Sequence, residues 1–572
     1  MGFAVAAAVI IVAPLSLLLA YPHGTFNMEW GDSLWFIAYD RAYITSHFAF
    51  PATLNFTGHV GVPRPIFYGP LLYPILGLLA EPLGPGGAIR LLAVAIWLLQ
   101  FVLVYRLVRA VGRCAITALA AAALMSWSVY SLTNLYNRGA IAEFAGTGFL
   151  LCAIAAGGLA ILESSRQKRV GFGLLGALCA AVAIGSHGPT ALVGGLVLLL
   201  LTAAFAWRRV GSVICIAAIV LTVVSPWLYV AAHFSGQLSI QEDPEEFPTP
   251  HQWKWLASND SLWARFKPLP LAGNSAGVDP NTPYLDANWN FPLALLAAWN
   301  AALAVSRRSD RKFLPLMICS GVGCAVLLVI SVSPMLQDVL PHCIPATIQF
   351  PYRLVSHANI LLFTLLISAW AARSASKLPP RLLRADRLVL IAVFVLSAVG
   401  LEMKLYHAAI VAVADGDALY DPGDQTELLS VTPGVNVGQN DFSIYVPERA
   451  IPPAERASAA RLNAPNGLGP EAEPKDATFD FPDQRWVVSS VLNFPWSHLI
   501  VDGQPVPFDQ VHNLYFHQAV NLPPGPHTFG YRFEPDPVWV WLTRLSWTML
   551  SLLAVATAIC FLFPFRRPKT SA

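Results

Sequence analysis

Long apolar runs recur from one end of this chain to the other, and they constrain its fold more than any other feature. Each run holds about 18 to 22 residues with few charges, the length that a helix needs to cross roughly 30 Å of hydrocarbon. Composition agrees, because 55% of the 572 residues are hydrophobic and only 12% are charged. The sequence therefore predicts an all-α polytopic membrane protein, and it excludes disordered, collagen-like and disulfide-scaffold chains.

About twelve runs are predicted to span the membrane. They cover 3–20, 88–106, 115–133, 141–162, 170–186, 189–206, 211–232, 291–306, 313–333, 354–372, 387–403 and 538–564. The first lacks a basic n-region and is longer than a usual signal-peptide core, so a retained span is favoured over a cleaved signal peptide. A weaker run, 67–80, is broken by Pro70 and Pro74 and is predicted to be a half-buried or interfacial segment on the outer side.

Basic residues occupy every second connection between these runs, which predicts the orientation by the positive-inside rule. They are Arg106, Arg109, Arg113, Arg166, Lys168, Arg169, Arg208, Arg209, Arg307, Arg308, Arg311, Lys312, Arg373, Lys377, Arg381, Arg384, Arg387, Arg566, Arg567 and Lys569. We therefore expect both termini in the cytoplasm and three long connections, 21–87, 233–290 and 404–537, outside. The outer connections hold most of the Asp, Glu and His residues and eight of the 17 Trp residues, which predicts that the protein works on the outer face.

The third outer connection predicts a small β-rich module between a transmembrane domain, 1–403, and a final span with a basic tail, 538–572. Alternating residues predict strands at 486–492, 498–501 and 527–533, with turns at Asp502-Gly503 and 523–525. We expect an antiparallel sheet or sandwich. The stretch 447–478, rich in Pro, Ala, Glu and Asn, is predicted to be a loop or linker.

Charge and motifs exclude several classes of function. The formal net charge is only +2, so nothing indicates a nucleic-acid partner. Almost all of the eight cysteines lie in apolar runs and are predicted to be packing residues. The sequence contains no HExxH, Walker A or paired CxxC motif, and its GxGxxG match at 171–176 lies inside the predicted span 170–186 and does not follow a strand. Metalloprotease, P-loop and dinucleotide readings are therefore without support.

Asp32 is the candidate catalytic residue. It follows the first span in Glu-Trp-Gly-Asp-Ser-Leu-Trp-Phe, and helical spacing would place Asp32, Trp35 and Phe36 on one face. A carboxylate held among aromatic side chains at a membrane surface can act as a general base toward a hydroxyl group. A solvated acid beside the membrane remains the alternative.

Candidate binding residues lie at the outer ends of later spans. Arg138 and Glu143 stand close together where the fourth span begins, and the alternatives are a ligand-facing pair or a buried bridge that pins the helix end. His187 lies in a tight outer turn, whereas Arg353 and His357 open the tenth span. An arginine beside a histidine can bind a phosphate group, although an interfacial anchor would use the same residues.

These segments resemble a family of bacterial membrane proteins labelled "6-pyruvoyl-tetrahydropterin synthase-related". The resemblance rests on the acidic first loop, on Tyr-Asn-Arg-Gly-Ala-Ile-Ala-Glu-Phe at 136–144, on Ser-His-Gly-Pro-Thr at 186–190 and on Gln-Phe-Pro-Tyr-Arg at 349–353. Segments 501–506 and 522–528 are similar to the β module of YfhO-like proteins. Both families have the layout of GT-C glycosyltransferases, which use lipid-phosphate sugar donors on the outer face.

The resemblance implies an inverting membrane glycosyltransferase of the bacterial inner membrane. Asp32 matches the acidic loop position and would be the base, whereas Arg138, Glu143, His187 and Arg353 match family positions that have no established roles. From their residue types and positions, we expect these four residues and His357 to bind substrate. The expected partners are the lipid bilayer, a polyprenyl-phosphate sugar and an envelope glycan, lipid or protein acceptor, without a cofactor. A metal site is not favoured, because Gly-Asp-Ser stands where Asp-x-Asp would be needed. The alternatives are a lipid or polysaccharide transporter and a non-catalytic envelope assembly protein.

Overall fold

A computed structural model describes most of the membrane part and most of the C-terminal module. The described residues are 2–21, 26, 30, 33–34, 36–38, 40–41, 55–57, 60–62, 69–205, 210–234, 288–306, 310–333, 348, 351–373, 379–414, 449–462, 477–493, 495–514 and 517–563. Asp32 and the 415–448 part of the third outer connection lie outside these residues.

Fifteen α-helices are described in these ranges. They are α1 (Gly2–Val12), α2 (Ser16–Ala20), α3 (Leu72–Ala110), α4 (Ala115–Ser126), α5 (Val129–Leu132), α6 (Ile141–Leu162), α7 (Arg166–Ser186), α8 (Gly195–Phe205), α9 (Val210–Phe234), α10 (Phe291–Ser306), α11 (Leu314–Val332), α12 (Leu354–Arg373), α13 (Pro380–Ala414), α14 (Pro453–Arg456) and α15 (Pro537–Leu562). One large apolar core joins the long helices, and α6 and α7 share an extensive contact within it.

Nine helices of the described chain are long and apolar enough to cross a membrane, which indicates a multi-pass membrane protein. They are Gly2–Ala20, Leu72–Ala110, Ile141–Leu162, Arg166–Ser186, Val210–His233, Arg311–Val332, Pro351–Arg373, Pro380–Ile410 and Pro537–Leu562. A tenth span would combine Ala115–Ser126 with Val129–Asn137 across a 45° bend. Two of the twelve predicted spans correspond to shorter apolar helices, Thr190–Ala204 and Phe291–Ser306.

Helix α3 is longer than the predicted span at 88–106, because the helical stretch begins sixteen residues earlier, at Leu72. Its first part takes up residues that were predicted to form an interfacial segment. The helix changes direction at Gly84, whose φ of 71° no other residue type adopts easily, between Pro82 and Pro85. Pro74 fits into the first turn, where its missing N–H group costs no hydrogen bond.

Contacts join several of the helix ends that carry basic residues. Nη2 of Arg113 donates to the carbonyl oxygen of Trp370 at 3.1 Å, and Nε2 of Gln167 donates to that of Cys560 at 2.8 Å. These contacts join helix ends that the sequence predicts on one side. We call this side the basic face and define it by Arg109, Arg113, Arg311, Lys312 and Arg373.

The opposite helix ends also contact one another. Nε1 of Trp30 donates to the carbonyl oxygen of Leu135 at 2.6 Å, and the N–H group of Leu71 donates to that of Gly185 at 3.1 Å. We call this side the site face and define it by Trp30, Leu71, Leu135 and Gly185. The first connection thus packs against helices that begin or end on this same side.

The first connection contains a short antiparallel pair, β1 (Asn55–Thr57) and β2 (Val60–Val62), and the β-rich region near the C-terminus consists of two four-stranded sheets. One has the order β4 (Ala477–Phe481), β10 (Gly525–Phe533), β6 (Ser497–Val501), β7 (Gln504–Pro505), and the other has the order β3 (Ala460–Arg461), β5 (Arg485–Leu492), β9 (His517–Leu522), β8 (His512–Leu514). Phe481, Leu499 and Phe529 from the first sheet share a core with Val487 and Val520 from the second. The region is therefore a sandwich, one of the two predicted forms.

Two sequence predictions for this module have different outcomes. Asp502 and Gly503 both have positive φ angles, 52° and 77°, as a two-residue type I′ hairpin requires. The interpretation of 447–478 as a loop is wrong in part, because Ala460 and Arg461 pair in parallel with Val487 and Val488. Two residues are too few to show alternation, so only the long-range pairing reveals this strand.

Candidate functional site

A break in the helical backbone builds the first part of the candidate site. Helix α4 ends at Ser126, and the chain resumes at an angle of 45° before a π-helical turn at Thr133–Asn137. Gly139, with a φ of 61°, then reverses the chain so that α6 begins at Ile141. This reversal brings the side chain of Arg138 back onto the first turn of α6, where Glu143 lies.

Glu143 is the centre of a buried polar group that we call the Glu143 cluster, consisting of Tyr130, Asn134, Arg138, Glu143 and Arg353. Its Oε2 lies 2.8 Å from Nη1 of Arg138 and 3.4 Å from Nε of Arg353. Its Oε1 accepts hydrogen bonds from the Tyr130 hydroxyl at 2.8 Å and from Nδ2 of Asn134 at 3.1 Å. The carboxylate is thus fully hydrogen-bonded, which offsets the cost of burying its charge.

The two guanidinium groups of the cluster come from distant parts of the sequence. Arg138 is held by the Oδ1 atom of Asn134 at 2.8 Å and lies 5.0 Å from the ring centroid of Tyr352. Arg353 donates from Nη1 to the carbonyl oxygen of Ile348 at 3.2 Å. Both side chains are nearly inaccessible, with exposed fractions of 5% and 11%. Two permanent positive charges therefore meet at one carboxylate beside an aromatic ring.

Two buried histidines adjoin the Glu143 cluster. His187 and His357 both interact electrostatically with Glu143, and His187 also interacts with Arg353 and His357. Gly146 allows this approach, because a Cβ atom there would lie 3.2 Å from Cβ of His187. The turn that bears His187 therefore packs against α6 one turn beyond Glu143.

Each histidine keeps one ring nitrogen without a hydrogen bond to any described residue. Nδ1 of His187 bonds with the Thr190 hydroxyl at 3.0 Å, and Nδ1 of His357 donates to the carbonyl oxygen of Arg353 at 3.3 Å. Both Nε2 atoms are buried and have no partner among the described residues. Since Nδ1 of His357 is the donor, its Nε2 can accept a hydrogen bond from a ligand hydroxyl when the ring is neutral.

Asn137 directly precedes Arg138 at the end of the π-helical turn and was not predicted as a site residue. Neither Nδ2 nor Oδ1 of Asn137 has a hydrogen-bond partner among the described residues, although the side chain is buried. Buried amides are normally hydrogen-bonded, so this one is suited to a polar ligand. Its position next to Arg138 is the only sequence signal that could have identified it.

The predicted site residues can now be compared with their positions. Arg138, Glu143 and Arg353 come into direct contact, and His187 and His357 lie close enough for electrostatic interaction. Asp32 lies outside the described residues. Its described neighbours do pack on the site face, where Trp30 reaches Leu135 and the Ser33 hydroxyl lies 3.2 Å from the Tyr73 hydroxyl.

Two further observations concern a cavity and metal-binding side chains. The structure has a cavity of about 180 Å³, but this cavity lies toward the basic face and contains none of the predicted site residues. Within the described ranges, no group of three or more His, Cys, Asp or Glu side chains is arranged to hold a metal ion.

Comparisons with family models, with curated proteins and with solved structures give no match for this chain. The resemblance to GT-C-like families therefore stays a prediction that rests on the short motifs of the sequence.

Proposed function

We propose that this chain is a membrane glycosyltransferase that moves a sugar from a polyprenyl-phosphate donor to an acceptor on the outer face of a bacterial inner membrane. One observation carries the proposal: the Glu143 cluster and two buried histidines gather from three separate segments on the site face. Arginine and histidine donors in such a setting are suited to a lipid-linked phosphate.

In the proposed reaction, Asp32 removes the proton from the acceptor hydroxyl, and the resulting oxygen attacks the anomeric carbon of the donor sugar. The bond between that carbon and the phosphate oxygen breaks, so the sugar carbon is inverted and the lipid phosphate leaves with the bonding electrons. Arg353 and Arg138 stabilise the negative charge of the leaving phosphate.

Glu143 has a positioning role in this proposal. Both guanidinium groups contact its carboxylate, so they are held in place before the donor arrives. Such preorganisation favours catalysis, because the cationic groups need not reorient as charge develops on the phosphate. Nε2 of His357 can accept a hydrogen bond from a sugar hydroxyl, and Nε2 of His187, whose tautomer is not fixed by its Thr190 partner, can contact a sugar hydroxyl or the phosphate.

A transporter of lipids or polysaccharides is the second candidate, and one observation favours it. Transporter sites are commonly built where spanning helices are broken, and a 45° bend lies directly before the Glu143 cluster. Purified protein in proteoliposomes would separate the two functions. A transporter would move a labelled sugar lipid between leaflets without a new glycosidic bond, whereas a transferase would need an acceptor and release the lipid phosphate.

Complementation of a deletion strain tests the leading proposal. Mass spectrometry of extracted envelope glycans should show a sugar that disappears on deletion and returns with the wild-type gene. Asp32→Asn should restore folded protein but leave the sugar lower by about 10²- to 10⁴-fold, the usual contribution of a general base. Glu81→Gln is the matched control, because Glu81 is exposed and its ion pair with Arg41 is open to solvent. An unchanged glycan profile after deletion would refute a role in sugar transfer.

A further inference from the structure

We propose that the cavity near the basic face binds one acyl chain of an anionic phospholipid. The cavity is separate from the Glu143 cluster, so this inference does not depend on the proposed transferase activity. Its volume is about 180 Å³, and its lining is almost entirely aliphatic or aromatic. Such a space inside a membrane protein is suited to hydrocarbon, because water would find almost no hydrogen-bonding groups there.

The cavity is elongated along the helices that form it. Its lining runs from Ala153 to Leu162 on α6 and from Phe363 to Ala371 on α12. The ends of these ranges are nine and eight positions apart, which corresponds to roughly 12 to 14 Å at a rise of 1.5 Å per residue. One leaflet of a bilayer contributes about 15 Å of hydrocarbon. The cavity therefore extends over most of one leaflet and lies parallel to the expected direction of an acyl chain.

Gly157 gives the cavity part of its width. A Cβ atom at Gly157 would meet no heavy atom within 4 Å, whereas one at the adjacent Gly158 would lie 3.0 Å from a Leu107 side-chain carbon. The space beside Gly157 is thus open. A larger side chain at this position would enter the cavity without displacing protein atoms.

The end of the cavity near the basic face is surrounded by more positive than negative side chains. Lining residues Val111, Leu162 and Phe313 lie at helix ends on the basic face. Nζ of Lys312 lies 4.9 Å from the centroid of the Phe313 ring. The charged groups along these ends are Arg109, Arg113, Arg311 and Lys312 against Asp310 and Glu163. Asp310 pairs with Lys312 at 2.8 Å, so the remaining positive charge comes chiefly from the arginines.

The apolar walls and the nearby positive charges together favour an anionic phospholipid as the ligand of the cavity. A hydrocarbon chain satisfies the apolar walls, and an anionic headgroup at the membrane surface would lie among the arginines and Lys312. A zwitterionic phospholipid would satisfy only the first condition. We therefore expect phosphatidylglycerol to occupy the cavity in preference to phosphatidylcholine.

Photolabelling of the full-length protein in nanodiscs tests this proposal. The probes are phosphatidylglycerol and phosphatidylcholine, each with a diazirine in the acyl chain, and labelled peptides are mapped by mass spectrometry. We expect phosphatidylglycerol to label 153–162 and 363–371. Gly157→Leu should lower that labelling about tenfold, because its side chain replaces methylene groups of the lipid. Gly173→Leu is the matched control, since Gly173 is a helical glycine outside the cavity that also has no atom within 4 Å of its Cβ position.

Other outcomes would overturn the proposal. Equal labelling in Gly157→Leu and wild-type protein would show that the chain does not enter the cavity. Equal labelling by the two phospholipids would remove the anionic headgroup from the proposal, and displacement of the label by polyprenyl phosphate would assign the cavity to a prenyl tail. If Gly157→Leu fails to fold, the surface variant Arg311→Gln should still lower the preference for phosphatidylglycerol.

Discussion

The Glu143 cluster and the His527–Asp502 pair of the β module contain contacts of nearly equal length in opposite surroundings. Arg138 lies 2.8 Å from Glu143, and Nδ1 of His527 lies 2.7 Å from Asp502. The side chain of Glu143 is 1% exposed, whereas that of Asp502 is 51% exposed. Water solvates one carboxylate in the module but cannot reach the other, so the same geometry has different energetic consequences.

The length of a contact alone therefore does not indicate how much stability is lost when one partner is removed. In the buried cluster, each group depends on its partners because no solvent can replace them. In the module, solvent replaces a lost partner at little cost. Disruption of the cluster should therefore affect the whole membrane part, whereas disruption of the module pair should stay local.

The largest expected effect is that of Glu143→Ala on stability. Two buried guanidinium groups would lose their shared carboxylate, at a cost of about 3–5 kcal/mol. Thermal unfolding in detergent and the yield of monodisperse protein would measure it. Thr147→Val is the control one turn further along α6, because it removes only a hydroxyl that donates to the Glu143 carbonyl oxygen. A stability change below about 1 kcal/mol in Glu143→Ala would contradict the contrast.

A smaller effect is expected for Arg353→Ala on donor binding. Loss of a charge-assisted hydrogen bond to phosphate should raise the Kd for polyprenyl phosphate about 10- to 100-fold, equivalent to about 1.5–3 kcal/mol. Arg532→Ala, which removes an exposed arginine of the module, should leave the Kd unchanged. Equal Kd values for Arg353→Ala and wild-type protein would remove Arg353 from the proposed phosphate site.

A still smaller effect is expected for Asp502→Asn on the module. Asparagine tolerates the positive φ of this turn, and its Oδ1 can still accept from the N–H group of Thr528. The charge interaction with His527 and the hydrogen bond from its Nδ1 to Oδ2 are lost at an exposed site, so the module should lose about 0.2–1 kcal/mol of stability. Urea unfolding followed by the hydrogen exchange of module amides would measure this. A loss above about 2 kcal/mol would show that solvent does not weaken this pair as the comparison requires.

The smallest effect concerns pH. The hydrogen bond from His527 to Asp502 raises the pKa of His527 above its usual 6.5, and the bonds from Thr528 and His527 lower the pKa of Asp502 below its usual 3.8. Stabilisation by His527 is present below about pH 6.5 and is lost as the pH rises through its raised pKa. Stabilisation by Asp502 is present above about pH 3.8 and is lost as the pH falls through its lowered pKa.

Wild-type protein should therefore exceed Asp502→Asn in module stability most clearly between about pH 4 and 6.5, the interval in which both members of the pair are charged. The difference should decrease as the pH rises beyond the pKa of His527. A difference that is constant from pH 5 to pH 9 would mean that the charge of His527 contributes nothing to the module.

The sequence predicts much of the architecture, because span length and module strands are local properties. It also places Arg138 and Glu143 near each other, since only five positions separate them. The sequence does not reveal Tyr130 or Asn134 as partners of Glu143. Their approach depends on a bend and a π-helical turn, which no apolar pattern encodes.

The same limit explains the other differences. The kink at Gly84 was not predicted, because the spacing of the prolines before the second span does not show where the helix direction changes. The contact between Arg353 and Glu143 joins residues more than two hundred positions apart and follows only from helix packing. That Nε2 of His187 and of His357 has no hydrogen-bond partner among the described residues is likewise known only from the packing of the surrounding helices.

The connection between the β module and the final span determines how far the module can reach. Strand β10 ends at Phe533 and α15 begins at Pro537, so three residues join them and span at most about 10 Å. Asp536 caps α15 by accepting from the N–H group of Val538 at 2.7 Å and also accepts from the Tyr229 hydroxyl at 2.6 Å. The short connection therefore keeps the module close to the N-terminal end of α15. Any glycan or protein that it binds is presented to the membrane domain at a high effective concentration.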